Sequence, residues 1–260
     1  MKRLLYILSV CTMMFSGSLS FADDNLENVT ITDEDDEQCV QERAPLSLLD
    51  DTSFVNVRQF DIAGIMLGMS YDEVNNAVVN GAGLYTLRKK NGIIYNINKN
   101  WKYNLDYECR QNKIYTPDKL ENCIKSLARN RGLLYISKIH LERKFTGETI
   151  DVYFTSNAKD NVVWKIVYNN DADVIEGADK KFEDQRKKKI MVFWQGVLDK
   201  YGTPNSETKS AWISSDSASD PMMQAYYGQL VLSDYGLREN DCADNQNAAQ
   251  KHFLAKPYAF

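Results

Sequence analysis

The chain has 260 residues, 36 acidic and 31 basic side chains, a net charge of −5 and a mean hydropathy of −0.46. That length admits one large domain or two small ones, each with a real core. Beyond the first residues no stretch approaches the ~20 apolar residues of a membrane-crossing helix, and the cations are too scattered for a nucleic-acid surface.

Met1-Lys2-Arg3 is a short positive region, residues 4–15 are mostly apolar, and Ser20-Phe21-Ala22 places small residues where a signal peptidase reads them. Residues 1–22 are therefore expected to be an export signal cleaved near Ala22, which gives a periplasmic or secreted protein. Leu8-Ser9-Val10-Cys11 offers a competing lipoprotein box with Cys11 acylated, although Val10 is bulky where a small residue is wanted. Export changes what cysteine means. Without Cys11 four remain, Cys39, Cys109, Cys123 and Cys242. In an oxidising compartment an even number favours disulfides, with three connectivities open. The local pair Cys109–Cys123 is expected first, leaving Cys39 with Cys242 to tie the chain ends. Neither CxxC nor a Cys/His cluster is present, so no metal site is assigned.

Residues 23–51 carry eleven acids against one base, Arg43. Such a segment buries too little apolar surface to offset its ordering entropy, so residues 23–56 are expected to form an acidic disordered leader. The signal carries +2 and the leader −10, which leaves +3 for the remainder.

A first α+β module is expected over residues 57–172. The stretch from Phe60 through Val74, FDIAGIMLGMSYDEV, reads as a strand, a Gly-bounded turn and a helix opened by a Ser70/Glu73 capping box. Strands are expected over residues 84–89, 92–97 and 104–109. Thr116-Pro117 starts a second helix, whose apolar face holds Leu120, Cys123, Ile124, Leu127 and Ala128. Cys123 is thereby turned toward the sheet expected to hold Cys109. Three more strands follow. In residues 135–145 the apolar side is Ile139, Leu141 and Phe145, opposite Lys138, His140, Glu142 and Lys144. Residues 149–156 put Ile150, Val152 and Phe154 on one face, and residues 162–168 put Val162, Trp164, Ile166 and Tyr168 on one face.

The second module is expected over residues 173–260. It opens with a helix over residues 182–200 that has an apolar stripe and a solvated basic run, Arg186 to Lys189. Strands near residues 210–214 and 224–233 follow, then a last helix over residues 242–254 capped by Asp241. The fold class is thus α+β, two modules, each an antiparallel sheet with helices packed on one face.

Gly64-Ile65-Met66-Leu67-Gly68-Met69-Ser70 leading into Asp72-Glu73-Val74 resembles the start of modules in small outer-membrane-assembly lipoproteins of the SmpA/OmlA type and the β-lactamase-inhibitor-protein-like fold. Residues 197–204, VLDKYGTP, followed by Trp212, look like the next part of that pattern. The resemblance implies a fold, an export address and protein binding through an open sheet face.

Chemistry is sparse. His140 reads as an exposed sheet histidine, and His252 has no nucleophile near it in sequence. Gly68-Met69-Ser70-Tyr71-Asp72 lacks the second glycine of a nucleophile elbow, and Gly81-Ala82-Gly83 lacks the third of a dinucleotide loop. No catalytic, cofactor-binding or metal residues are assigned. Fifteen tyrosines remain, and Tyr103, Tyr107, Tyr115, Tyr226 and Tyr227 are the candidate interface anchors. The expected work is non-enzymatic binding or scaffolding of another envelope protein or envelope component, without nucleic acid, cofactor or transmembrane span. The alternatives are an envelope hydrolase with a site between modules and a secreted inhibitor or effector.

Overall fold

A computed structural model describes residues 46–80, 84–170 and 180–254. The stretch beginning at Phe60 builds a tight hairpin of β1 (Asp61–Ile62) and β2 (Ile65–Met66) before its helix. Ala63 and Gly64 both have positive φ, 54° and 84°, the twist a two-residue hairpin turn requires. The capping box forms as expected at the start of α1 (Tyr71–Asn80): the Ser70 N–H donates to Glu73 Oε2 at 2.7 Å, and the Glu73 N–H donates back to Ser70 Oγ at 3.3 Å.

Eight antiparallel strands make the main sheet. They are β3 (Tyr85–Leu87), β4 (Ile93–Ile97), β5 (Leu134–Arg143), β6 (Thr149–Phe154), β7 (Val163–Asn169), β8 (Ala211–Ile213), β9 (Met222–Tyr226) and β10 (Gln229–Ser233). Their order is β3-β5-β6-β7-β10-β9-β8, with β4 also lying on β5. The α+β class holds, but the sheet is shared. β7 pairs with β10 from Gln229 opposite Asn169 to Ser233 opposite Lys165, so the strands of the two expected modules are sewn into one sheet instead of closing two.

One face of this sheet is apolar. Ile139, Leu141, Ile150, Val152, Phe154, Ile166, Leu230, Leu232, Met223 and Trp212 are buried in one core with Val57, Ile62, Ile65, Val74 and Val197. The covering layer is α1, the β1–β2 hairpin and α4 (Lys180–Tyr201), whose Phe193 stacks on Tyr168 with ring centroids 6.1 Å apart. Lys200 and Tyr201 at the end of α4 bond Asp61, and the Lys200 ammonium together with the Gly64 amide holds the Asp61 carboxyl below its usual range against the opposing cost of burial.

A second core joins α2 (Lys99–Gln111) and α3 (Pro117–Asn130) through Leu105, Cys109, Ile124 and Ala128. Residues 104–109 are therefore helix, contrary to the strand expected there. Trp101, Leu105 and Cys109 recur every four residues, and the Asn98 side chain caps the helix at the Asn100 N–H. Cys109 and Cys123 are bonded across the two helices, with Cα atoms 6.1 Å apart; the expected pairing is present, between helices and not from helix to sheet. Cys242 is buried and also disulfide-bonded, while its expected partner Cys39 lies outside the described residues.

Three other expectations need correction. The last helix, α5 (Tyr235–Leu254), begins about two turns earlier than expected. Asp234 caps it by accepting the Leu237 N–H at 3.1 Å, and Asp241 is an interior, fully buried residue. Residues 224–233 are two strands, because Gly228 at φ 108° turns the chain. Residues 46–56 belong to the fold and not to the leader: Leu46 and Leu48 pack on Ala211, Ile213 and Met222, and the Val55 N–H donates to the Ile213 carbonyl at 3.2 Å.

The Cys109–Cys123 bridge spans 14 residues, a closure worth about 3 kcal/mol in the chain-entropy account. Replacing both cysteines with serine is expected to lower the unfolding free energy by about that amount in denaturant titration, with α-helical circular dichroism retained at low denaturant.

Candidate functional site on the polar sheet face

Opposite the apolar core, strand alternation sends a second set of side chains to the other face. Lys138 of β5 lies opposite Tyr153 of β6, and Tyr153 lies opposite Lys165 of β7. In the next row His140 lies opposite Asp151, and beyond it Glu142 lies opposite Thr149. Pairs directly across an antiparallel ladder are within side-chain reach.

Between Phe154, which faces Val163, and Tyr153, which faces Lys165, the ladder skips Trp164. This bulge gives β7 an extra residue and re-aims it. Trp164 consequently leaves the apolar face where alternation alone put it. Its ring lies 6.1 Å from Tyr153 and 5.6 Å from Tyr235 at the start of α5. Cations surround the two rings: Lys138 is 4.9 Å and Lys165 5.2 Å from the Tyr153 centroid, while Lys165 and Arg238 lie 5.7 Å and 5.6 Å from that of Trp164.

Beside this platform runs a chain of ion pairs. Lys138 Nζ is 3.0 Å from Asp151 Oδ2, and His140 Nδ1 is 2.5 Å from Asp151 Oδ1. A carboxylate only accepts, so Nδ1 carries the proton. His140 Nε2 lies 3.6 Å from Glu142 Oε1, and Arg88 Nε is 3.2 Å from the same oxygen. The side chains of Lys138, His140 and Asp151 are 22, 18 and 17 % exposed, so His140 is half-buried in a network and not the freely exposed residue expected. Burial opposes the Lys138 charge, yet Tyr153 and Asp151 outweigh it and hold the ammonium above its usual range.

The five candidate tyrosines fall into two groups. Tyr103 and Tyr107 are on the outer side of α2, with Tyr115 in the turn before α3, and Tyr107 packs edge-on against Phe253 at 6.5 Å. Tyr226 and Tyr227 sit at the β9–β10 hairpin, exposed by 44 and 84 %. Tyr226 ends the polar-face row that holds Asn169 and Gln229. His252 belongs with the α2 group, its ring 5.2 Å from Trp101 and its Nε2 3.6 Å from Glu108.

The arrangement suits recognition by charge and stacking. A histidine bonded to a carboxylate can serve as a general base, but among the described residues no serine, threonine or cysteine is bonded to His140. Among the described residues no group of three His, Cys, Asp or Glu side chains is placed to hold a metal ion, and no helix is long and apolar enough to cross a membrane. Of the site residues, Lys138, His140 and Glu142 were legible as a polar strand face. Asp151 and Tyr153 required the β5–β6 register, Trp164 required the bulge, and Arg238 required the early start of α5.

Comparison of the chain with protein-family models, with curated proteins and with solved structures finds no match.

Asp151 contacts two partly buried side chains at once, Lys138 and His140. Asp151→Asn is expected to cost about 1–3 kcal/mol of stability at neutral pH. Lys138 binds its proton more tightly in the folded state than its reference value of 10.5. Its contribution is thus fully present below pH 10.5 and is lost as pH rises through the folded value. The gap between wild type and variant, followed by thermal unfolding against pH, is expected to narrow there.

Proposed function

We propose that this is an exported, non-enzymatic binding protein that engages an acidic segment of another envelope protein through the polar face of its sheet. The observation that carries the reading is the platform of Tyr153 and Trp164 ringed by Lys138, Lys165 and Arg238. Aromatic and cationic side chains held side by side are typical binding anchors. Charge across this part of the chain supports the choice of partner: residues 84–170 hold 16 Lys and Arg against 8 Asp and Glu, and surfaces of opposite sign steer encounter. Tyr226 and Tyr227 extend the same face at the β9–β10 hairpin.

Two features support the export address. Residues 1–22 have the layout of a cleaved signal, and the Cys109–Cys123 bridge suits an oxidising compartment. Lys200 bonded to Asp61 and the capping box at Ser70 make the FDIAGIMLGMSYDEV stretch a scaffold beneath the opposite face, so its resemblance to outer-membrane-assembly modules bears on architecture and address.

Affinity capture from envelope extract, with the exported protein and its Lys165→Glu variant as baits, tests the reading. Wild type is expected to retain an envelope protein that elutes with salt, and the variant to retain it at least about tenfold less while its melting temperature stays within about 2 °C. Equal retention by both baits overturns the role of the face. No retained protein, together with hydrolytic activity on envelope substrates, overturns the binding role altogether.

A further inference from the structure

Folding accounts for one side of α2 and leaves the other unexplained. Trp101, Leu105 and Cys109 face the second core, while Lys99, Tyr103 and Tyr107 recur every four residues on the opposite side. The Ile114 N–H donates to the Cys109 carbonyl at 3.2 Å, which folds the next turn back on the helix end and keeps Tyr115 there. Tyr107 meets Phe253 edge-on at 6.5 Å, and Leu254 follows at the end of α5. Tyr103, Tyr107, Tyr115, Phe253 and Leu254 are between 47 and 68 % exposed, so three segments gather large apolar side chains onto one outer surface. A contiguous exposed patch of this kind marks an interaction site.

The charges around the patch are sorted by sign. Asp106 is held by Arg110 at 2.7 Å and Glu108 by Arg131 at 2.6 Å, so both acids of α2 are paired within the fold. Asp118 and Lys119 stand side by side at the start of α3 and offset each other. α5 carries no acid beyond Asp244, which lies 2.7 Å from Lys159. Lys99, Lys113 and Lys251 are exposed, and none has an ion-pair partner among the described residues. What borders the aromatic patch is thus uncompensated positive charge on long, flexible stems.

Chemistry and shape select the partner. Rings with a polar tip, apolar side chains and lysines on one surface match the layer between lipid headgroups and acyl chains, where an aromatic ring is seated and an ammonium reaches back to phosphate. The outward side of a helix pair is convex, which a fluid lipid surface follows more readily than a rigid protein partner.

We propose that this surface of α2 and α5 is a peripheral docking site for an anionic lipid membrane. Tyr103, Tyr107, Phe253 and Leu254 enter the headgroup layer, and Lys99, Lys113 and Lys251 contact lipid phosphates around them. The site is separate from the polar sheet face. Arg238 and Phe253 lie fifteen residues apart on α5, about 22 Å along its axis, so lipid and the partner of the proposed function do not compete.

Co-sedimentation of the exported protein with lipid vesicles at physiological ionic strength tests the site. One set is phosphatidylcholine alone, and the other is equal parts phosphatidylcholine and phosphatidylglycerol. The exported chain as a whole is net negative, so a preference for anionic vesicles reports a local cluster of cations. Wild type is expected to bind the mixed vesicles at least about tenfold more tightly than phosphatidylcholine alone. Each lysine near an anionic surface strengthens binding about fivefold, so Lys99→Gln with Lys251→Gln is expected to weaken it about 25-fold. Tyr103→Ser with Phe253→Ser is expected to weaken it at least about tenfold, with the melting temperature within about 2 °C of wild type. Lys165→Glu, more than a screening length away on the sheet face, is expected to change it less than about twofold. No preference for the mixed vesicles, or undiminished binding by both double variants, overturns the proposal. So does a dimer in sedimentation velocity that Tyr103→Ser with Phe253→Ser dissociates, which assigns the patch to a second copy of the chain. Loss of vesicle binding in Lys165→Glu places the lipid on the sheet face and also overturns it. These readouts need no envelope protein, so failed capture from envelope extract and failed vesicle binding are separate results.

Discussion

The pairing of β7 with β10 is the constraint on which the rest depends. Residues far apart in the chain meet there in one fixed register, Lys165 opposite Ser233 through Asn169 opposite Gln229. Side chains alternate along a strand, so a slip of one residue would turn Leu230 and Leu232 onto the polar face and Val231 into the core. The hydrophobic difference between the faces therefore locks the register, and the same lock sets Lys165 in line with Tyr153 and Lys138. Formation of the core and assembly of the cation-aromatic platform are one event. This is also why the chain cannot be cut between its halves without exposing a long sheet edge.

Both outer edges of the sheet are already occupied or interrupted, which directs recognition to a face. At β8 the edge is covered by residues 46–57, with the Val55 N–H on the Ile213 carbonyl. At the other side β3 and β4 follow each other along β5 and are parted by the loop 88–92. The Arg88 N–H donates to the His140 carbonyl, and the His140 N–H donates to the Gly92 carbonyl. A Cβ at Gly92 would sit 2.2 Å from the Arg88 carbonyl oxygen, so the loop closes only with glycine there. Arg88, Lys89 and Lys90 ride on this loop, and charge on a broken edge strand discourages strand addition.

Local signals in the sequence carried some elements well and failed where partners are distant. The capping box of α1, the Thr116-Pro117 start of α3 and the alternation of β5 and β6 were legible because each is settled within a few residues. Residues 104–109 read as strand because Asn104 and Leu105 are both inward, which breaks a simple helical stripe; Asn104 is buried because its amide donates to the Ala249 carbonyl of α5, 145 residues away. Trp164 was assigned to the apolar face by counting in twos, and the bulge at Phe154 and Tyr153 shifts the count by one. Phe145 continued the apolar side of β5 on paper, but it lies in the following hairpin with φ 65° and its side chain in solvent. Asp241 resembled a cap because acids are common there; its actual role is to accept the Ser156 backbone N–H at 3.1 Å and the Ser156 hydroxyl at 2.5 Å, a contact 85 residues away in sequence.

That contact explains how one helix can serve three parts of the molecule. The buried Asp241 carboxylate is surrounded by donors: the Ser156 amide and hydroxyl, the Asn245 amide at 3.0 Å and Arg238 at 3.4 Å. A buried carboxylate is costly unless its oxygens are satisfied in this way, so α5 tolerates little sliding along the β6–β7 end of the sheet. Upstream of the pin, Tyr235 and Arg238 are held against Trp164. Downstream, the Asn104 amide bonds the Ala249 carbonyl and the His252 ring packs on Trp101, which joins the helix to α2, itself fixed to α3 by the Cys109–Cys123 bridge. The helix thus joins the polar face near Trp164 to the disulfide-bonded pair of α2 and α3, and Cys242 lies one residue beyond the pin. The disulfide-bonded Cys242 is therefore held in the part of α5 that Asp241 pins to Ser156.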